Sequence, residues 1–361
     1  MGWPDRRFAD LVGVEHPIVQ APMTHSCSPA LAAAVSDAGA LGSMGMAFKS
    51  AERRAGDIAA AARLTNRAVN LNFFANRAAV EGPGRPDAAR AAAAPAYAAL
   101  GLGAPPEALP AEGLAATGDG FGAAELALLL AVRPRVASFH FGLPDRDAVA
   151  ALKAAGIRLG ATATTTAEAR AVEEAGCDFV VAQGFEAGGH RGAHAPTAAD
   201  GGVGTLALVP QIADAVTLPV VAAGGIADGR GIAAAFALGA AGVQLGTAFL
   251  RCPEAATDAP RRARLAAATD SDTIVTAAVS GRSNRIAAGP GLRALAAGAP
   301  ACLPFPTQYA LSGPLRAAGG ADYAAHQYGQ AAALARELPA RELVAALAAE
   351  ALDRLAWLGR A

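Results

Sequence analysis

His190 stands in the run 182-AQGFEAGGHRG-192, with Arg191 directly after it and glycines on both sides. An imidazole titrates near neutral pH, and flanking glycines let a ligand approach closely, so this residue suits proton transfer or anion binding. Glu186, upstream in the same run, reads either as a solvated loop charge or as a partner of Arg191. His140 alternates with Phe139 and Phe141 in 138-SFHF-141 and reads as pocket-lining or as a satisfied core histidine. Asn70 offers an amide to a cofactor edge or phosphate tail, or simply ends a strand. Two glycine-bearing segments, 224-GGIADGRG-231 and 244-QLGT-247, have the character of a phosphate seat. Their backbone N–H groups can face an anion, and a following helix adds partial positive charge. The plainer reading is that Gly224 and Gly225 make a tight turn. A phosphate seat leaves its ligand open: FMN, a sugar phosphate and a thiazole phosphate all fit.

These residues need a scaffold that brings them to one face. Short apolar runs alternate with alanine-rich helical stretches along most of the chain. Strands are expected over 17–20, 40–44, 68–73, 136–141, 158–163, 179–184, 219–225 and 242–250. Helices are expected over 29–38, 51–63, 122–132, 145–155, 166–175, 205–216 and 228–238, with Thr166 and Asp228 as start signals. Continuous apolar strands bounded by glycine suit a parallel sheet covered on both faces. Eight such units predict an α/β fold, a (β/α)8 TIM barrel with a small additional cap. The expected division is a barrel over 1–74 and 121–250, a cap over 75–120 and 251–320, and a C-terminal helical segment over 321–361 packed on the barrel. The segment 75–120 reads as an irregular excursion beside the mouth, and 90-RAAAAPAYAAL-100 as compositional bias. In such barrels the chemistry sits at the C-terminal strand ends. There the polar residues are Gln20, Asn70, Asn72, His140, Thr162, Gln183, His190, Gln244 and Thr247.

Amides and histidines dominate that set. No two carboxylates converge, which excludes glycosidase chemistry. His190 and His194 are four apart but lie in a glycine-rich loop, so no metal site is expected. His194 and His326 read as surface residues. A net charge of −1 over 361 residues excludes a globally basic, nucleic-acid-binding footprint. The scattered Cys27, Cys177, Cys252 and Cys302 read as reduced thiols of a cytoplasmic protein, and no apolar run suits a membrane span.

The ordered set 17-PIVQAPM-23, 70-NLNFF-74, 138-SFHFGLP-144, 182-AQGFEAGGHRG-192, 222-AAGGIADGRG-231 and 244-QLGTAFL-250 resembles the nitronate monooxygenase family, class I type. The resemblance covers residues 10 to 255. It implies a (β/α)8 barrel that binds FMN and oxidises alkyl nitronates, propionate 3-nitronate above all, with O2 to a carbonyl compound and nitrite. By that resemblance Ala21, Pro22 and Met23 lie against the isoalloxazine, and Asn70, Gln183 and Gly188 contact the flavin. The phosphate falls to Gly225, Gln244, Leu245, Gly246 and Thr247, in agreement with the glycine turn read at Gly224 and Gly225. His190 is the active-site histidine and His140 a second pocket position. The segment 304-PFPTQYALSG-313 resembles a substrate-side motif of the family, with Phe305 in place of a tyrosine and Tyr309 nearby. The expected state is a monomer or homodimer acting on a small nitronate and O2. The alternatives are an NAD(P)H-dependent flavin reductase, acting on quinones or enoyl thioesters, and a flavin-binding protein without turnover.

Overall fold

The computed structural model describes residues 2–76, 85–107, 120–195, 201–297 and 301–359. The expected excursion over 75–120 therefore falls partly outside the described residues, as do 196–200 of the His190 loop. Among the described residues there are twelve strands: β1 (Ile18–Gln20), β2 (Gly42–Gly45), β3 (Val69–Phe74), β4 (Val136–His140), β5 (Arg158–Ala163), β6 (Phe179–Gln183), β7 (Gly189–His190), β8 (Val220–Ala223), β9 (Gly242–Leu245), β10 (Thr273–Thr276), β11 (Asn284–Ala288) and β12 (Ala325–His326). Eight of them pair in parallel in the order β1-β9-β8-β6-β5-β4-β3-β2. The ring closes where Val19 bridges Leu41, with Gln20 N donating to Leu41 O and Leu41 N to Ile18 O, both at 2.9 Å. This is the expected (β/α)8 barrel.

The strands form where apolar side chains are buried on both faces; Phe179–Gln183 and Val220–Ala223 are buried throughout. The outer face packs on the surrounding helices through one large apolar core. A second cluster joins Phe8 and Val12 of the N-terminal helix Arg7–Val12 to Phe179, Val181 and Val221. Phe8 and Phe179 meet edge-on at 5.2 Å between centroids. Gly160 makes room for this layer, because a Cβ there would lie 2.1 Å from the Phe179 ring. Helix starts follow capping chemistry: Ser28, Ser50, Thr165 and Asp228 each accept a backbone N–H of the first turn through the side chain. The helix expected from Thr166 is thus capped one residue earlier.

Two features depart from the sequence reading. Residues Arg85–Ala99 are a helix, not an irregular run. Its Ala89, Ala93 and Tyr97 are buried at a spacing of four, against Leu292, Leu311 and Leu315. Tyr97 Oη donates to Leu311 O at 2.8 Å. Alanine has the highest helix propensity, so the run read as bias folds once one face is covered. In addition, β10, β11, β12 and β7 form an antiparallel sheet that sets Asn284 opposite His190 and Arg285 opposite Gly189. The C-terminal helix Ala340–Leu358 buries Leu343, Val344 and Leu347. Among the described residues no helix is long and apolar enough to cross a membrane.

Candidate active site

The loops at the C-terminal ends of the barrel strands surround a cavity of about 170 Å³. Its walls come from Ala21–Ser26 after β1, Phe48 after β2, Ala187–His190 after β6, Gly224–Ile226 after β8, and Gly246 and Thr247 after β9. The chain returns across it at Gln327, Tyr328 and Gly329.

His190 is fixed by its backbone before its ring is considered. Its carbonyl accepts from Gln183 Nε2 at 3.0 Å and faces His140 Nε2 at 3.3 Å. Gln183 Oε1 accepts from Gly192 N at 2.7 Å, so one amide clamps both ends of the turn. A carbonyl can only accept, which assigns the Nε2–H tautomer to His140 and leaves its Nδ1 to accept from Thr162 Oγ1 at 3.0 Å. His190 Nε2 lies 2.9 Å from Ser280 Oγ and 3.5 Å from Tyr309 Oη. Ser280 in turn donates to Arg282 O at 3.2 Å, which assigns the proton of that pair to His190 Nε2.

Burial pushes both histidines down, His190 to about 3 and His140 to about 4. The positive charge of Arg282 adds to the effect on each. That guanidinium, itself buried, stacks on Phe141 at 4.2 Å from the ring centroid. Both imidazoles are therefore neutral at pH 7. Burial also raises the Tyr309 hydroxyl to about 12, which keeps it a donor.

An aromatic wall surrounds His190. Phe141, Phe305 and Phe74 lie 5.4, 5.7 and 6.3 Å from its ring, all steeply inclined. Phe48 joins the same cluster, 6.0 Å from Phe305 and 5.6 Å from Tyr309. Phe48 and Phe141 have left-handed backbones, φ 60° and 71°, which non-glycine residues rarely adopt. Such strain persists where surrounding packing fixes it; here Phe48 lines the cavity and Phe141 packs against His190 behind it.

On the other side the walls are glycine. Gly224 and Gly225 have φ of 109° and 71° and turn the chain from β8 towards the Asp228-capped helix Gly229–Ala237. A Cβ at Gly188 would lie 2.3 Å from Tyr328 C, so glycine there permits the 327–329 crossing. Thr247 Oγ1 accepts from Gly329 N at 2.9 Å and ties that crossing to β9. Positive-φ glycines, the threonine and the neutral amides Asn72, Gln183 and Gln244 give the cavity a polar, uncharged lining that fits a flavin cofactor.

Of the residues named from sequence, Ala21, Pro22, Met23, His140, Gln183, Gly188, His190, Gly224, Gly225, Gln244, Gly246, Thr247 and Tyr309 line the cavity. Asn70 lies one layer deeper on the same strand face, its Nδ2 donating to Ser138 Oγ at 2.9 Å, and Asn72 lines the cavity instead. Leu245 is buried in the main core, and Phe305 stands in the aromatic cluster. Glu186 does not hold Arg191; its carboxylate accepts from Thr205 N and Oγ1, both at 2.9 Å, and caps the helix Thr205–Ala215. His194 is half-buried, with Nε2 2.8 Å from Thr162 O, and half-buried His326 pairs with Ala287. Sequence reasoning missed His25, Phe48, Arg261, Ser280 and Arg282. Only His25 carried a signal, two residues beyond the A-P-M segment.

A family model described as nitronate monooxygenase matches residues 5–350. The nitronate monooxygenase of Pseudomonas aeruginosa is 46% identical over 359 residues, covering 95% of this chain and 98% of its own. That of Paraburkholderia phytofirmans is 45% identical over 356 residues, covering 96% and 94%. Among solved structures, nitroalkane oxidase from Streptomyces ansochromogenes matches with a TM-score of 0.86 at 39% identity, covering 98% of this chain and 99% of its own. FabK from Thermotoga maritima matches with a TM-score of 0.74 at 28% identity, covering 98% and 97%. The chain belongs to the nitronate monooxygenase family of oxidoreductases.

Proposed function

We propose that the cavity binds FMN and that the chain oxidises a small alkyl nitronate, of the propionate 3-nitronate type, with O2 to a carbonyl compound and nitrite. FMN, when bound, supplies the electron transfer and the reaction with oxygen. In this reading Gly224, Gly225, Gly246 and Thr247 hold its phosphate, while Ala21, Pro22 and Met23 lie along its ring. We assign flavin binding to the barrel, 1–74 and 121–250, and substrate enclosure to 75–120 and 251–320. The segment 321–361 completes the packing.

The observation that carries this reading is a neutral, backbone-clamped His190 facing an aromatic wall in the same cavity as the glycine turns. A nitronate is already deprotonated at carbon, so its oxidation demands no strong base. An imidazole pushed down to about 3 is a weak one, which favours nitronates over neutral nitroalkanes. The chain's own tasks are to orient the anion beside His190, to exclude water with Phe74, Phe141 and Phe305, and to meet negative charge with the field of Arg282.

The test is anaerobic mixing of the flavin-loaded protein with propionate 3-nitronate and, separately, with NADH, followed by the visible absorbance. Rapid change with the nitronate alone, and nitrite release in air, is the expected result. Reduction by NADH with an inert nitronate would replace this reading with a pyridine-nucleotide-dependent reductase.

A further inference from the structure

The cavity wall holds a single permanent charge among the described residues, and it is positive. No aspartate, glutamate or lysine lines it, and its one arginine is Arg261. Arg261 lies in the first turn of the helix Ala259–Ala266, where its backbone N–H donates to the capping Asp258 at 2.8 Å. Its side chain is anchored at one point, Nη1 donating to buried Ser26 Oγ at 2.8 Å. Its Nε is buried and has no hydrogen-bond partner, and its charge is met only at a distance, by the exposed Asp258 that caps the helix. A buried donor on a cation is costly to leave unpaired, so the arrangement is complete only when an acceptor arrives.

The position says which acceptor. Ser26 follows His25, a solvent-exposed residue on the same wall whose ring stacks on Phe48 at 6.2 Å and 23°. Phe48 meets Tyr309, whose hydroxyl is 3.5 Å from His190 Nε2. A continuous line of rings therefore joins Arg261 to the proposed reacting end. A guanidinium presents parallel donors that match a carboxylate.

We propose that Arg261, with His25 beside it, seats a carboxylate carried by the substrate, so that the chain selects nitronates bearing an anionic arm. The proposal rests on the nitronate reading above. The same chemistry would also serve the phosphate of FMN, and the experiment separates the two sources.

The kcat/KM values of wild type and Arg261→Gln are compared for propionate 3-nitronate and butyl-1-nitronate, whose arm is uncharged. The ratio between the two substrates falls by about thirtyfold in the variant, the scale of one charge-assisted pair. Arg261→Lys, which keeps the charge but not the fork, recovers part of the ratio. Turnover-independent readouts accompany this. Calorimetric titration with succinate, a non-reacting dicarboxylate of similar length, shows binding to wild type and none to Arg261→Gln. Affinities for FMN and riboflavin change by the same factor or not at all. An unchanged substrate ratio, or equal succinate binding, overturns the proposal. So does a selective loss of FMN over riboflavin, which would make Arg261 a cofactor-phosphate ligand. If wild type releases no nitrite from either nitronate, the nitronate reading fails, while succinate binding still decides whether Arg261 seats a carboxylate.

Discussion

His140 Nε2 points its proton at the main-chain carbonyl of His190, 3.3 Å away, and so one histidine positions the other through backbone, not ring to ring. The two rings keep separate partners, Thr162 Oγ1 for His140 and Ser280 Oγ for His190. This arrangement divides the labour. His140 and Gln183 fix where the loop stands, and the His190 ring is left to face the cavity.

Replacing His190 by asparagine keeps a polar side chain but loses the imidazole. We expect kcat/KM on propionate 3-nitronate to fall by roughly tenfold, the scale of one lost polar contact to an anion, since no proton has to be moved from its carbon. Flavin content should stay at the wild-type level, because the glycine turns do not depend on this ring. Retention of full turnover on both a nitronate and its parent nitroalkane would remove His190 from the mechanism.

Gln183→Met tests the clamp. The change removes the donor to His190 O and the acceptor of Gly192 N while nearly keeping the volume. Each buried group left unpaired costs about 1–3 kcal/mol. Urea denaturation should register that loss, and kcat should fall with little change in KM, since the turn loses its place more than the cavity loses contacts.

The barrel was legible because apolar runs alternate with helices, several of which begin at a capping side chain such as Asp228. The cap was less so. Its strands β7 and β12 are two residues long, too short to leave a periodic trace, and their pairing to β11 is wholly non-local. The helix Arg85–Ala99 was hidden by its own composition, since an alanine-rich stretch shows no contrast between buried and exposed faces. The resemblance points to Asn70, whereas Asn72 lines the cavity. Residues two apart share a strand face, and only depth in the barrel separates them. Ser280 reaches His190 across ninety positions of sequence, with no local pattern to announce it.

The glycine turn after β8 makes a direct prediction about the cofactor. Gly225 has φ of 71°, and a Cβ there would lie 3.3 Å from Glu186 Cβ. Gly225→Ala therefore strains the backbone by about 1–2 kcal/mol or moves the turn. Fluorescence titration should show FMN bound about tenfold more weakly, with riboflavin affected less. Equal losses for the two would mean that the turn does not hold the phosphate.

Stability should carry the signature of the buried histidines. In the folded chain His190 and His140 titrate at about 3 and about 4, whereas unfolded histidine titrates near 6.5. Between those values the unfolded chain binds protons that the folded chain refuses, so stability falls as pH drops from about 6.5 and is fully present above it. The slope per histidine is on the order of 1.4 kcal/mol per pH unit. Burial lowers His16, His25 and His326 in the same direction, so the slope has several contributors. Urea unfolding between pH 7.5 and 5 reads it above the range where ordinary carboxylates titrate. His190→Asn should lower that slope without abolishing it. An unchanged slope would mean that the His190 ring takes up a proton as readily in the folded chain as in the unfolded one, and that the apolar wall does not keep it neutral.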